Sequence, residues 1–160
     1  MREVNLGHWD PVGSRHWDPA GKYMGAVLRA YEYWVLEVSW LQHTLGSFIV
    51  FCRRPGVRLM SELNTTELAE LKWAMADMES ALRRHPVFCP DHFNYLQMGN
   101  ALPLLHFHGI PRYETERAFC GKVWKDVNPR RPPTWVSEEV SSEIVVKMRD
   151  LLIPLLPAQG

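Results

Sequence analysis

The sequence predicts an α+β protein, and three observations predict it. One long amphipathic stretch over residues 64–85 has helical spacing, short apolar runs of β-favouring residues flank it on both sides, and Gly, Pro and Asn punctuate those runs at turn positions. The 160 residues are sized for one principal domain with a sizeable core.

Residues 1–24 form a Trp/Pro-rich arm in which His-Trp-Asp-Pro occurs twice, at His8 to Pro11 and His16 to Pro19. Asp-Pro disfavours helical backbone at the Asp, and exposed tryptophan is costly in water. The arm is therefore expected to lie against the body or a partner subunit, with Trp9 or Trp17 able to stack on a base. Residues 22–34 fit either a short helix or an extended entry. Residues 34–40 alternate as a strand; after the turn at Leu45-Gly46-Ser47, Phe48–Cys52 reads as a central strand closed by Arg53-Arg54-Pro55-Gly56, a solvated turn. Asn64 or Thr65 can cap the long helix. Glu67 supplies negative charge in its first turn, Leu68, Leu71, Met75, Met78 and Leu82 form its apolar stripe, and Pro86 stops it. Residues 93–97 form a strand, Gly99-Asn100 a turn, and residues 104–110 a second strand ended by Pro111. Ser137 or Ser141 starts a last helix. The chain divides accordingly into the arm at 1–24, a domain at 25–136, and a C-terminal helix and tail at 137–160.

Lys plus Arg equals Asp plus Glu at 18 each, so no basic surplus favours a nucleic-acid backbone. Cys52, Cys89 and Cys120 are odd in number and lack a CxxC pair, which points away from a disulfide framework and from a cysteine zinc site. No apolar run approaches a bilayer span. A cytoplasmic protein without membrane or nucleic-acid partners, and without metal or cofactor, is expected.

His106 and His108 stand two apart on a presumed strand, so both imidazoles emerge from one face. Such a pair suits nucleophilic displacement at phosphorus or a metal site, and it equally suits half-buried packing histidines without chemistry.

The surrounding residues carry more. Phe93-Asn94-Tyr95-Leu96, Gly99-Asn100, Pro103, the two histidines and Ile110-Pro111-Arg112-Tyr113 resemble the core of the histidine triad family. The resemblance extends back through Leu45 to Val50, Met60 to Leu63 and the long helix, over roughly residues 34 to 125. It implies a HIT-like antiparallel sheet of about five strands with a long helix packed on it, paired as a homodimer. It also implies hydrolysis or transfer of nucleotidyl groups through a covalent nucleotidyl-histidine. The middle histidine, His106, would attack the α-phosphorus, and His108 would hydrogen-bond phosphate oxygens or the leaving group. Asn100 and Ala101 would face the phosphates of a nucleotide or related small molecule.

Two departures stand out. Leu104 replaces the first triad histidine, and the Gly-His that opens the central strand in the family is here Gly46-Ser47. The altered positions Leu104 and Ser47, with the nearby His43, complete the expected substrate-binding set. A nucleophilic imidazole needs its second nitrogen held, by a backbone carbonyl or by His43. Two other functions fit the same residues: a nucleotide-binding protein without turnover, and a HIT-fold enzyme acting on a non-nucleotide substrate.

Overall fold

The structure, a computed structural model, describes residues 22–159. The paired His-Trp-Asp-Pro segments, and the expectation that they pack on the body or close over a base, lie outside the described residues. Among the described residues there are seven strands: β1 (Val27–Ala30), β2 (Trp34–Val38), β3 (Phe48–Cys52), β4 (His92–Leu96), β5 (His106–Arg112), β6 (Arg117–Phe119) and β7 (Lys122–Trp124). The first five form one antiparallel sheet in the order β1-β2-β3-β5-β4, and β6 and β7 pair separately. Helices α1 (Thr65–Arg84) and α2 (Ser142–Leu152) cover one face of the sheet.

Period-two alternation sorts the sheet into a core face and a histidine face. Trp34, Leu36, Phe48, Val50 and Phe107 are buried with Ala74, Met78 and Leu82 of α1 and Ile144, Val145 and Met148 of α2. The C-terminal helix thus shares the sheet's core. His106, His108, Ile110 and Arg112 point to the opposite face of β5.

The long helix begins at the expected cap. Asn64 accepts from the Glu67 amide, and the Glu67 carboxylate accepts from the Asn64 amide, a reciprocal box that satisfies two otherwise orphaned donors. Its buried stripe is rotated from the expected one. Leu68 is 41% exposed, whereas Glu67 and Glu70 turn inward. Glu70 accepts from the backbone amides of Glu32 and Tyr33, and Glu67 takes Arg54 through two bonds of 2.6 and 3.0 Å. Backbone and guanidinium donors between β1 and β2 and after β3 call for acceptors there, so carboxylates displace leucine. The Arg53-Arg54 turn is correspondingly tied down, with Arg53 donating to the Tyr31 carbonyl.

Three further boundaries are fixed by the structure. Residues 22–34 contain both alternatives, a 3-10 helix at Lys22–Ala26 followed by β1. The last helix takes Ser141 as its cap, its hydroxyl accepting from the Ile144 amide. The final long strand spans His106–Arg112 in place of 104–110, so Pro111 lies inside it, opposite Phe93. The β3 pairing ends at Gly109, so the strand has a single neighbour at Pro111, and a missing amide is tolerated there.

Gly109 explains the small residue after the second histidine. A β-carbon there would sit 2.2 Å from the ring of the fully buried Phe48. Gly109→Ala is expected to cost about 1–3 kcal/mol or more through overpacking. In denaturant titrations, adding Phe48→Leu to that variant should recover part of the loss.

Candidate active site

Neighbouring strands place the histidines in register: Phe51 of β3 lies opposite His106, and Ile49 opposite His108. The segment before β5 is fixed by two backbone bonds, from the Leu105 amide to the Val57 carbonyl and from the Cys52 amide to the Leu105 carbonyl. That anchoring sets the position of Leu104. Its carbonyl lies 2.8 Å from Nδ1 of His106. A carbonyl only accepts, so Nδ1 carries the proton and Nε2 keeps its lone pair.

His106, His108, Asn100 and Ala101 line a cavity of about 370 Å³ over the histidine face, a volume within the range of small-molecule sites. The remaining expected residues lie elsewhere. Leu104 precedes the strand, is buried, and is not among the cavity's lining residues; it contributes its carbonyl and no side chain. Ser47 is buried in a turn, where its hydroxyl donates to the Thr44 carbonyl and accepts from the Thr44 amide. Gly46 beside it has φ of +83° and stands against Leu82 and Phe88, so the turn's role is to join β2 to β3 tightly.

His43 sits behind His108, with ring centres 6.2 Å apart, and stacks on Trp135 at 3.9 Å. Its Nδ1 accepts from the Val136 amide, which places its own proton on Nε2. It therefore does not hold the second nitrogen of His106. Burial depresses the basicity of all three imidazoles. His43 is pushed down to about 4 by desolvation. His108 also falls to about 4, through desolvation and then its proximity to His106 and His43. His106 is lowered by desolvation, partly offset by its bond to Leu104. Near neutral pH the site holds neutral imidazoles, the form with a nucleophilic lone pair.

Nδ1 of His108 and Nε2 of His43 are buried without a hydrogen-bond partner among the described residues. Each such group costs about 1–3 kcal/mol, and in a native structure such costs call for a functional or structural reason.

Sequence reasoning missed the strap that closes the site. The chain from 125 to 141 runs along the histidine face, carrying Trp135 to His43 and to the edge of His108, 5.0 Å away. Arg112 anchors one end, donating to Asp126, Asn94 and the carbonyls of Asn128 and Arg131. The Val140 amide anchors the other end on the Trp40 carbonyl. The Tyr23 hydroxyl donates to Glu139 at the cavity rim. Glu37, on the same face of β2, was also missed, although an acidic residue inside an apolar strand was a readable signal.

No protein-family model matches the sequence, and no curated protein does. Solved structures do. A histidine triad protein from Sinorhizobium meliloti superposes with a TM-score of 0.62 at 17% identity, over 81% of this chain and 88% of that one. The chain has the histidine triad fold. A hypothetical histidine triad nucleotide-binding protein from Sulfolobus tokodaii shares the fold with a TM-score of 0.55 at 17% identity, over 81% of each chain. The diadenosine triphosphate hydrolase of Plasmodium falciparum does so with a TM-score of 0.57 at 12% identity, over 81% of this chain and 75% of that one. Within this fold, β5 carries His106 and His108. No helix among the described residues is long and apolar enough to cross a membrane, and none of their His, Cys, Asp and Glu side chains gather in a metal-binding group.

Proposed function

We propose that the protein is a nucleotide hydrolase or nucleotidyl transferase that works through a covalent nucleotidyl-histidine on His106. The observation that carries this reading is the bond from His106 Nδ1 to the Leu104 carbonyl. It orients the ring and fixes the tautomer without help from a first triad histidine. Similarity in fold to a hypothetical nucleotide-binding protein and to a diadenosine triphosphate hydrolase supports the same class of substrate.

In the first step Nε2 of His106 attacks the α-phosphorus, and the bond from phosphorus to the leaving oxygen or nitrogen breaks, its electron pair going to the leaving group. His108, 4.9 Å from His106 between ring centres, supports the charge that builds on the phosphoryl oxygens. In the second step water or another acceptor adds its oxygen to phosphorus and releases a proton as the bond to Nε2 breaks. Asn100 and Ala101, on the loop that borders the cavity, take the phosphate end of the ligand.

Intact-protein mass spectrometry during incubation with nucleoside phosphoramidates and dinucleoside polyphosphates tests this, with product analysis alongside. Wild type is expected to gain a nucleotidyl mass. His106→Ala is expected to gain none and to lose turnover by a factor on the order of 10³ or more. Tight nucleotide binding with neither adduct nor product would establish the binding-only reading, in which the loss of the histidine at Leu104 has ended turnover.

A further inference from the structure

Trp135 is held in place by the fold, yet its side chain is 44% exposed where it borders the cavity beside the histidines. Pro132 and Pro133 restrict the backbone that leads to it, and the amide of the next residue, Val136, bonds to Nδ1 of His43. The His43 ring stacks on the indole with centres 3.9 Å apart and planes 28° apart. His108 lies 5.0 Å away with its plane turned by 76°. Because His43 and His108 are 6.2 Å apart, the three ring centres form a triangle with nearly a right angle at Trp135. His43 therefore covers one face of the indole and His108 stands at its rim, so the exposure falls on the opposite face. A fixed aromatic face that borders a small-molecule cavity is a stacking platform, and it binds a flat ring at little cost in side-chain entropy.

The order of the rings decides which part of a substrate meets this face. His43 is followed by Thr44, whose hydroxyl donates to the Pro111 carbonyl, so the loop that carries His43 packs at the Pro111 end of β5. Trp135, stacked on His43, thus lies past His108 as seen from His106, after steps of 4.9 and 5.0 Å between ring centres. In an in-line displacement the leaving group departs on the side away from the attacking nitrogen. The histidines narrow the choice of that group. Burial keeps both imidazoles neutral near neutral pH, and a neutral imidazole is a poor acid. An alkoxide would have to leave without a proton, whereas a phenol is acidic enough to leave as its anion. We infer that Trp135 forms a leaving-group subsite for a flat aromatic ring, and that aryl esters of nucleoside 5′-monophosphates are preferred substrates. The bond from Nε2 of His106 to phosphorus forms as the bond from phosphorus to the aryl oxygen breaks, and the electron pair departs on that oxygen as the phenolate. The inference rests on the nucleotidyl reading of His106 and adds to it the class of leaving group.

Steady-state hydrolysis of two AMP esters by the full chain tests it, the phenyl ester and the hexafluoroisopropyl ester. Their parent alcohols are similar in acidity, and only the phenyl group is flat. Stacking of one ring on an aromatic side chain is worth about tenfold to a hundredfold. The phenyl ester is expected to have the higher kcat/KM by that factor, with the difference carried mainly by KM. In Trp135→Leu the two esters should be turned over alike, whatever their absolute rates, and Trp135→Phe should keep part of the preference. Equal kcat/KM for the two esters in wild type would overturn the inference, and that measurement needs no variant. A phenyl preference that survives Trp135→Leu would overturn it as well. If both esters label His106 equally fast, the subsite falls and the nucleotidyl reading stands. If neither gives adduct or product, both fall.

Discussion

Arg112→Ala is expected to lower stability by about 3–5 kcal/mol, because it leaves the buried carboxylate of Asp126 without its partner. The two side chains are 2% and 3% exposed and meet at 2.6 Å. The guanidinium also closes contacts with Asn94 and the carbonyls of Asn128 and Arg131, so its removal orphans several acceptors at once. For a domain of this size the loss corresponds to a fall in melting temperature of roughly 10 °C. A double-mutant cycle separates pairing from packing. Arg112→Met with Asp126→Leu should cost less than Arg112→Ala alone, since neither change then buries an unpaired charge. The site should suffer too: the strap bearing Trp135 loses its anchor, so His106 labelling is expected to fall even under conditions where the variant remains folded.

Stability is expected to decline as pH falls from about 6.5 to 4, before carboxylate protonation contributes. His43 and His108 are both depressed from 6.5 to about 4. Between those values the unfolded chain takes up protons that the folded chain refuses, so the stability present above about 6.5 is lost on acidification. At about 1.4 kcal/mol per pKa unit, each contributes on the order of 3 kcal/mol. Asp126 acts in a lower window. Burial works to raise it, but the Arg112 hydrogen bond and the Tyr113 amide prevail and hold it below the ordinary aspartate value. Its contribution is present above that ordinary value and disappears as pH falls through the lowered one. Denaturant titrations from pH 7.5 to 3 should therefore show two acid limbs. His43→Asn, which keeps an acceptor for the Val136 amide, should flatten only the upper limb; an unchanged upper limb would exclude His43 as a contributor.

The local elements were legible because their causes are local. Asn64 and Glu67 announce the start of α1, Pro86 follows its end, and the apolar run Phe48–Cys52 has the length and composition of a buried strand. The pairing of His106 with His108 follows from strand alternation, and the resemblance to histidine triad proteins supplied the arrangement of the sheet. Leu68 was misplaced because helical spacing alone does not show that donors between β1 and β2 require Glu67 and Glu70 on the buried side. The start of β5 was misplaced because Leu104 and Leu105 are as apolar as strand residues, and only long-range bonds to Val57 and Cys52 hold them outside the strand.

What the sequence by itself determined is the set of elements, the α+β class and the two histidines on one face, since backbone propensity and side-chain alternation act over a few residues. The tertiary structure decided which groups surround those histidines. The carbonyl on Nδ1, the strap tied by Arg112, the ring of Trp135 against His43, and Glu37 two strands from His108 all depend on contacts between segments distant in sequence. Those contacts are chosen by the burial and hydrogen-bond satisfaction of the whole fold, which no short window of residues contains.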